Sequence, residues 1–173
     1  MLDPAALNTR IMTVHRIALD PNRAQDELFA RCAGIARFSW NWALDRWRAQ
    51  YEACCLDPDL PRPNEVALRR ELNAMKRAAF PWMLEAPKAV PQQAIKNLGA
   101  AFTAFFQGRA RYPKFKAKDR ARESFRPDNG PGTFRIEGKR IKLPRIGWVK
   151  LREELRFGAE LDPYLKSVTI SQE

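Results

Sequence analysis

Residues 10–25 read RIMTVHRIALDPNRAQ, a run rich in β-branched residues that is broken at Asp20-Pro21 and followed by Asn22 and Gln25. Alternation puts Ile11, Thr13, His15, Ile17 and Leu19 on one face, the pattern of a half-buried strand, where a structural role for His15 is favoured over a catalytic one. Asn22 with Gln25 three residues on has the form of a capping box, so a helix is expected to start there. The chain therefore opens strand first, helix second.

Outward from that junction, Phe29, Cys32, Ala36, Trp40, Ala43, Trp47 and Tyr51 recur at spacings of three and four, tracing one face of a helix about seven turns long. Core packing is the plain reading of these aromatics. A second helix is expected over 64–79, with Leu68, Leu72, Met75 and Ala79 inward and Arg69, Arg70, Lys76 and Arg77 largely outward. A third covers 88–107, with Ala94, Leu98, Ala101, Phe102 and Phe105 inward, Pro91 in its first turn and Gly108 placed to stop it. On this third helix Lys88, Gln92 and Lys96 fall four apart in one row, with Gln93 and Asn97 beside them. Ammonium groups suit phosphates and an amide can pair with an adenine edge, although a solvated polar face has the same composition.

Residues 109–126 read RARYPKFKAKDRARESFR. Arg109, Arg111, Lys114, Lys116, Lys118, Arg120, Arg122 and Arg126 are interleaved with Tyr112, Phe115 and Phe125. This fits an extended segment that tracks a phosphate chain and offers rings for stacking; a solubilising run would mix in Glu and lack aromatics. After the turn-rich PDNGPG at 127–132, Thr133 to Ile136 and Arg140 to Leu143 flank Glu137-Gly138-Lys139 as a hairpin. Trp148 to Arg152 and Lys166 to Ser171 read as further strands. With the first strand this makes five, the number a small open barrel uses.

The 173 residues carry 31 Lys and Arg against 20 Asp and Glu, a net charge of +11, and 45% are hydrophobic, which excludes disorder as the overall state. Residues 107–156 hold 16 basic and 6 acidic groups (net +10), whereas residues 1–106 hold 14 and 11 (net +3). Such segregation makes a local positive field suited to a polyanion. The three cysteines and one histidine lack zinc spacing, so no metal site is expected and the thiols read as buried or incidental. Neither a signal peptide nor a membrane-length apolar run is seen, so the expected location is cytoplasmic.

The ordered blocks RFSWNWAL (37–44), FPWM (80–83), QQAIKNL (92–98), YPKFK (112–116), SFR (124–126) and IKLPRIGWVK (141–150) resemble the N-terminal half of the TnpB (OrfB) proteins of insertion sequences, which share a layout with miniature type V CRISPR effectors. The resemblance runs from about Arg10 to Ser171. It implies an α+β fold in which a small OB-like wedge β-barrel carries an inserted helical recognition bundle. The implied division is 1–19 for the first wedge strand, 20–108 for the recognition lobe, 109–132 for a basic linker and 133–173 for the remainder of the barrel, incomplete here.

That family's RuvC-like nuclease is expected just after Ser171 and its zinc ribbon brings CxxC pairs. Neither is present, so Mg²⁺ and Zn²⁺ are expected only in those regions, no cofactor or catalytic residue is expected in this chain, and it should not cut DNA by itself. Asp57, Asp59, Glu153, Glu154 and Asp162 lack the convergence that two-metal hydrolysis needs. The resemblance implies a guide RNA and double-stranded target DNA as partners, with a RuvC portion or a second effector copy as a further one, and no membrane. It assigns motif reading to Lys88 and Gln92. Contacts to RNA and duplex backbone fall to the basic stretch with Arg140, Lys142, Arg145 and Lys150. The alternative is a freestanding, catalytically empty regulator of the same ancestry. An unrelated enzyme built on Glu153, Glu154 and Asp162 is disfavoured, since no base, nucleophile or metal cluster accompanies them. The 166–171 strand is expected to present an unpaired edge.

Overall fold

The structure, a computed structural model, describes residues 13–118, 120, 123–155 and 165–172. Helix α1 (Arg23–Leu56) begins where the capping box is expected: Gln25 N–H donates to Asn22 Oδ1 at 2.9 Å, and Asn22 N–H donates to Gln25 Oε1 at 3.0 Å. Its 34 residues make a rod about 51 Å long. Phe29, Cys32, Ala43 and Trp47 are buried as their spacing predicts, together with Ile35, Ser39 and Leu44, while Tyr51 lies beyond the packed region and is exposed.

Helix α2 (Glu65–Ala79) is capped by the Asn64 side chain on Ala67 N–H and buries only Leu68 and Leu72. A short 3-10 helix (Pro81–Glu85) leads to α3 (Ala89–Phe106), which buries Val90, Ile95, Leu98 and Phe102. Helix α3 stops at Gly108, whose φ of +69° favours glycine; Gly108 N–H donates to Phe105 O and Arg109 N–H to Ala104 O, both at 2.9 Å, closing a Schellman motif. Trp47 and Phe102 stack at 4.2 Å and 7° between α1 and α3. Gly99 lets α2 approach α3, since a Cβ there would stand 2.7 Å from Glu65 Cβ.

The strands are β1 (Leu19–Asp20), β2 (Ser124–Phe125), β3 (Arg135–Glu137), β4 (Arg140–Leu143), β5 (Gly147–Leu151) and β6 (Ile170–Ser171). An antiparallel sheet runs β1-β5-β4-β3, and β2 pairs separately with β6. Ile141, Leu143, Val149 and Leu151 turn into the same core as the helices.

The α+β class holds, with corrections of detail. Six strands appear among the described residues, and the larger sheet is open, so no closed OB-like barrel is seen. The opening strand is two residues long, because β5 ends at Leu151 and Arg152 N–H makes the last contact, to Ala18 O. His15 is exposed and outside any strand. Of the 166–171 segment only Ile170–Ser171 forms a strand, β6, which pairs with β2 along one edge through Phe125↔Ile170 and Ser124↔Ser171 in a two-stranded sheet. Arg10, Ile11, Arg122 and Asp162 lie outside the described residues. No described helix is long and apolar enough to cross a membrane.

Candidate nucleic-acid interface

The basic segment is held down along its backbone. Pro113 is buried, and Tyr112 meets Phe102 and Phe105 edge-on at 5.5 and 5.2 Å. Trp40 Nε1–H donates to Lys114 O at 2.9 Å, and Asn41 bonds both backbone groups of Lys116. Arg48, on α1, lies 5.4 Å from the Tyr112 ring and 4.9 Å from that of Phe115. The backbone is thus tied to α1 and α3 while Arg109, Arg111, Lys114, Lys118 and Arg120 remain exposed.

Other cations of the sequence-predicted set have partners inside the fold. Lys116 is half-buried with its Nζ 4.2 Å from the Trp40 ring centre, and burial lowers its pKa by disfavouring the charged form. Arg126 forms a two-pronged ion pair, 3.1 Å to each oxygen, with the fully buried Asp128. Arg145 donates to the Leu84 and Ala86 carbonyls, joining the β4–β5 turn to the 3-10 helix. Arg109, one of the exposed cations, also donates to the exposed Gln107.

Lys88, which precedes α3 as its N-cap residue, and Lys96 are exposed and Gln92 is half-buried, whereas Gln93 turns inward and donates to Asp128 O at 3.4 Å. Gln92 lines a shallow notch with Arg69, Asn73 and Lys76 of α2. Lys76 is the α2 ammonium group beside Gln92 in that notch, and burial, then the charges of Lys88 and Arg77, lower its pKa. The α2 contribution was not legible from a pattern that sent Lys76 and Arg77 merely outward.

A second basic surface lies on the outward face of the sheet. Register sets Lys142 opposite Trp148, Arg135 opposite Lys142, and Arg140 opposite Lys150. Arg140, Arg135 and Lys142 approach the Trp148 ring at 5.0, 5.2 and 5.9 Å. Sequence reasoning named Arg140, Lys142 and Lys150 but missed Arg135 and Trp148; the alternation Arg-Ile-Glu, Arg-Ile-Lys-Leu and Trp-Val-Lys-Leu carries the signal. Among the described residues no three His, Cys, Asp or Glu side chains are grouped as metal ligands.

Residues 12–54 match the family model HTH_OrfB_IS605, described as a helix-turn-helix domain. The described part of that span comprises β1 and nearly all of the uninterrupted α1. The chain is 29% identical over 157 residues to the "Putative RNA-guided DNA endonuclease InsQ" of Escherichia coli (strain K12), an alignment covering 91% of this chain and 37% of that protein. With an OrfB-type segment at its start and a relative of that kind along most of its length, the resemblance to the TnpB (OrfB) family is shown.

Proposed function

We propose that this chain is the guide-RNA and target-DNA binding part of a TnpB-like RNA-guided DNA endonuclease. The helices of residues 20–108 act as the recognition lobe, and the strands of 1–19 and 133–173 act as the wedge, joined by the basic segment. The observation that carries the reading is the strapped backbone of residues 112–116 beneath outward cations, since a segment held in place presents charge without the ordering cost of a loose loop.

Lys114, Lys118 and Arg120 grip phosphates, which serves affinity for any sequence. Lys88 and Gln92, backed by Lys76, read the duplex motif beside the target, while guide pairing supplies most of the sequence specificity. Cleavage belongs to a RuvC-type region, as a further part of the protein or a second copy. With Mg²⁺ and guide RNA this chain alone leaves target DNA intact.

The test is selection of a preferred motif from a randomised duplex library by the RNA-bound parent, Gln92→Ala and Lys88→Ala proteins. Gln92→Ala should relax preference at one or two positions, a discrimination of about 1–3 kcal/mol, and Lys88→Ala should weaken binding to all duplexes. An unchanged motif with Gln92→Ala contradicts the assignment.

A further inference from the structure

We infer that Trp148 is a stacking platform for an unpaired base of single-stranded nucleic acid, with Arg135, Arg140 and Lys142 holding the phosphates on either side. This deepens the function proposed above and rests on it. Trp148 sits on the face of β5 opposite to the buried Val149 and Leu151. It is half-buried but packs outside the hydrophobic core, and the cationic groups of Arg140, Arg135 and Lys142 lie 5.0, 5.2 and 5.9 Å from its ring centre.

The four groups come from three adjacent strands, with Arg135, Lys142 and Trp148 in one cross-strand row. Among the strand residues of this face the acidic groups are Glu137, bonded to Arg135 at 3.0 Å, and Asp20, opposite Lys150. The cations outnumber them. Gln25 Nε2–H donates to Trp148 O at 2.8 Å, fixing the backbone beneath the ring to the start of α1.

A ring on a rigid sheet, flanked by guanidinium and ammonium groups, offers what an unpaired nucleotide needs: a π surface for the base and charge for its backbone. A duplex keeps its base faces stacked inside and can use only the cations. RNA and displaced DNA strands share this chemistry, and the ribose hydroxyl is what separates them.

The experiment measures affinity of the full chain for one ribo-oligomer, its deoxyribo counterpart and the matching duplex, using the parent, Trp148→Ala and Trp148→Phe. Trp148→Ala should weaken single-strand binding by about 5- to 140-fold and leave duplex affinity within about twofold. Trp148→Phe, which keeps a ring and the fold, should retain most single-strand affinity while losing part of the tryptophan fluorescence change on binding. A loss confined to the ribo-oligomer identifies RNA as the ligand; one confined to the deoxyribo-oligomer identifies a DNA strand. Equal weakening of single strand and duplex by Trp148→Ala, or no weakening of either, overturns the inference while the broader function stands. Should Trp148→Ala fail to fold, an undiminished fluorescence change in Trp148→Phe overturns it. A parent that binds neither form overturns both.

Discussion

Asn41 holds the backbone of Lys116 from both sides: its Nδ2 donates to Lys116 O at 2.9 Å, and its Oδ1 accepts from Lys116 N–H at 2.8 Å. A carboxamide carries a donor and an acceptor side by side, so it can return both bonds at once. Through it, a helix residue fixes the backbone of a segment 75 positions away, midway between the exposed Lys114 and Lys118.

Replacing Asn41 with Ala removes both bonds and leaves two backbone groups to water. The expected cost is about 1–3 kcal/mol, read as a lower urea midpoint with the helical circular dichroism retained. The Lys116 amide should exchange faster in the variant. Unchanged exchange would mean that the segment is held without Asn41.

Asp128 is a second tie. Its side chain is fully buried, pairs with Arg126, accepts from Gly130 N–H at 2.8 Å and from Val168 N–H at 2.9 Å, and so binds the segment before β3 to the one before β6. Asp128→Ala leaves a cation and two amides without their acceptor and should cost about 3–5 kcal/mol. Asp128→Asn keeps the shape and one acceptor oxygen, and should cost less. Urea unfolding of both variants checks the order.

Burial pushes the Cys32 thiol from 9.0 up to about 12 by disfavouring the thiolate. Below pH 9 both the folded and unfolded chains hold the proton, and the stability this group contributes is fully present. Between pH 9 and 12 the unfolded chain loses the proton and the folded chain keeps it, so stability falls by about 1.4 kcal/mol per pH unit. Cys32→Ala should flatten that fall. At pH 8 iodoacetamide should modify the exposed Cys55 readily and Cys32 only after unfolding. Prompt alkylation of Cys32 in the native protein would contradict its placement in the core.

Local chemistry was legible in the sequence and distant pairing was not. The start of α1 depends on Asn22 and Gln25, three residues apart, and β4 on the alternation of Arg140-Ile141-Lys142-Leu143. The first strand was read too long because its length is set by where β5 ends, a matter of ladder partners rather than of β-branched content. The interface divides the same way. Spacing identified the cations of residues 109–126, but the use of Arg126 on Asp128 and of Arg145 on the Leu84 and Ala86 carbonyls depends on packing. Trp148 escaped notice because an aromatic in a strand reads as core until the register sets it among Arg135, Arg140 and Lys142.

The central claim is that the strapped segment grips a nucleic-acid backbone, and the salt dependence of guide-RNA affinity tests it most directly. Lys114, Lys118 and Arg120 are the cations to remove, because they are exposed, whereas Lys116 packs on Trp40 and its loss would disturb the fold. Each phosphate contact contributes roughly 0.7 to 0.9 to the slope of log K against log salt. The Lys114→Ala, Lys118→Ala, Arg120→Ala triple variant should therefore bind more weakly with a slope lower by about 2 to 3, at unchanged helical content. The same affinity and the same slope as the parent would show that these cations face only water.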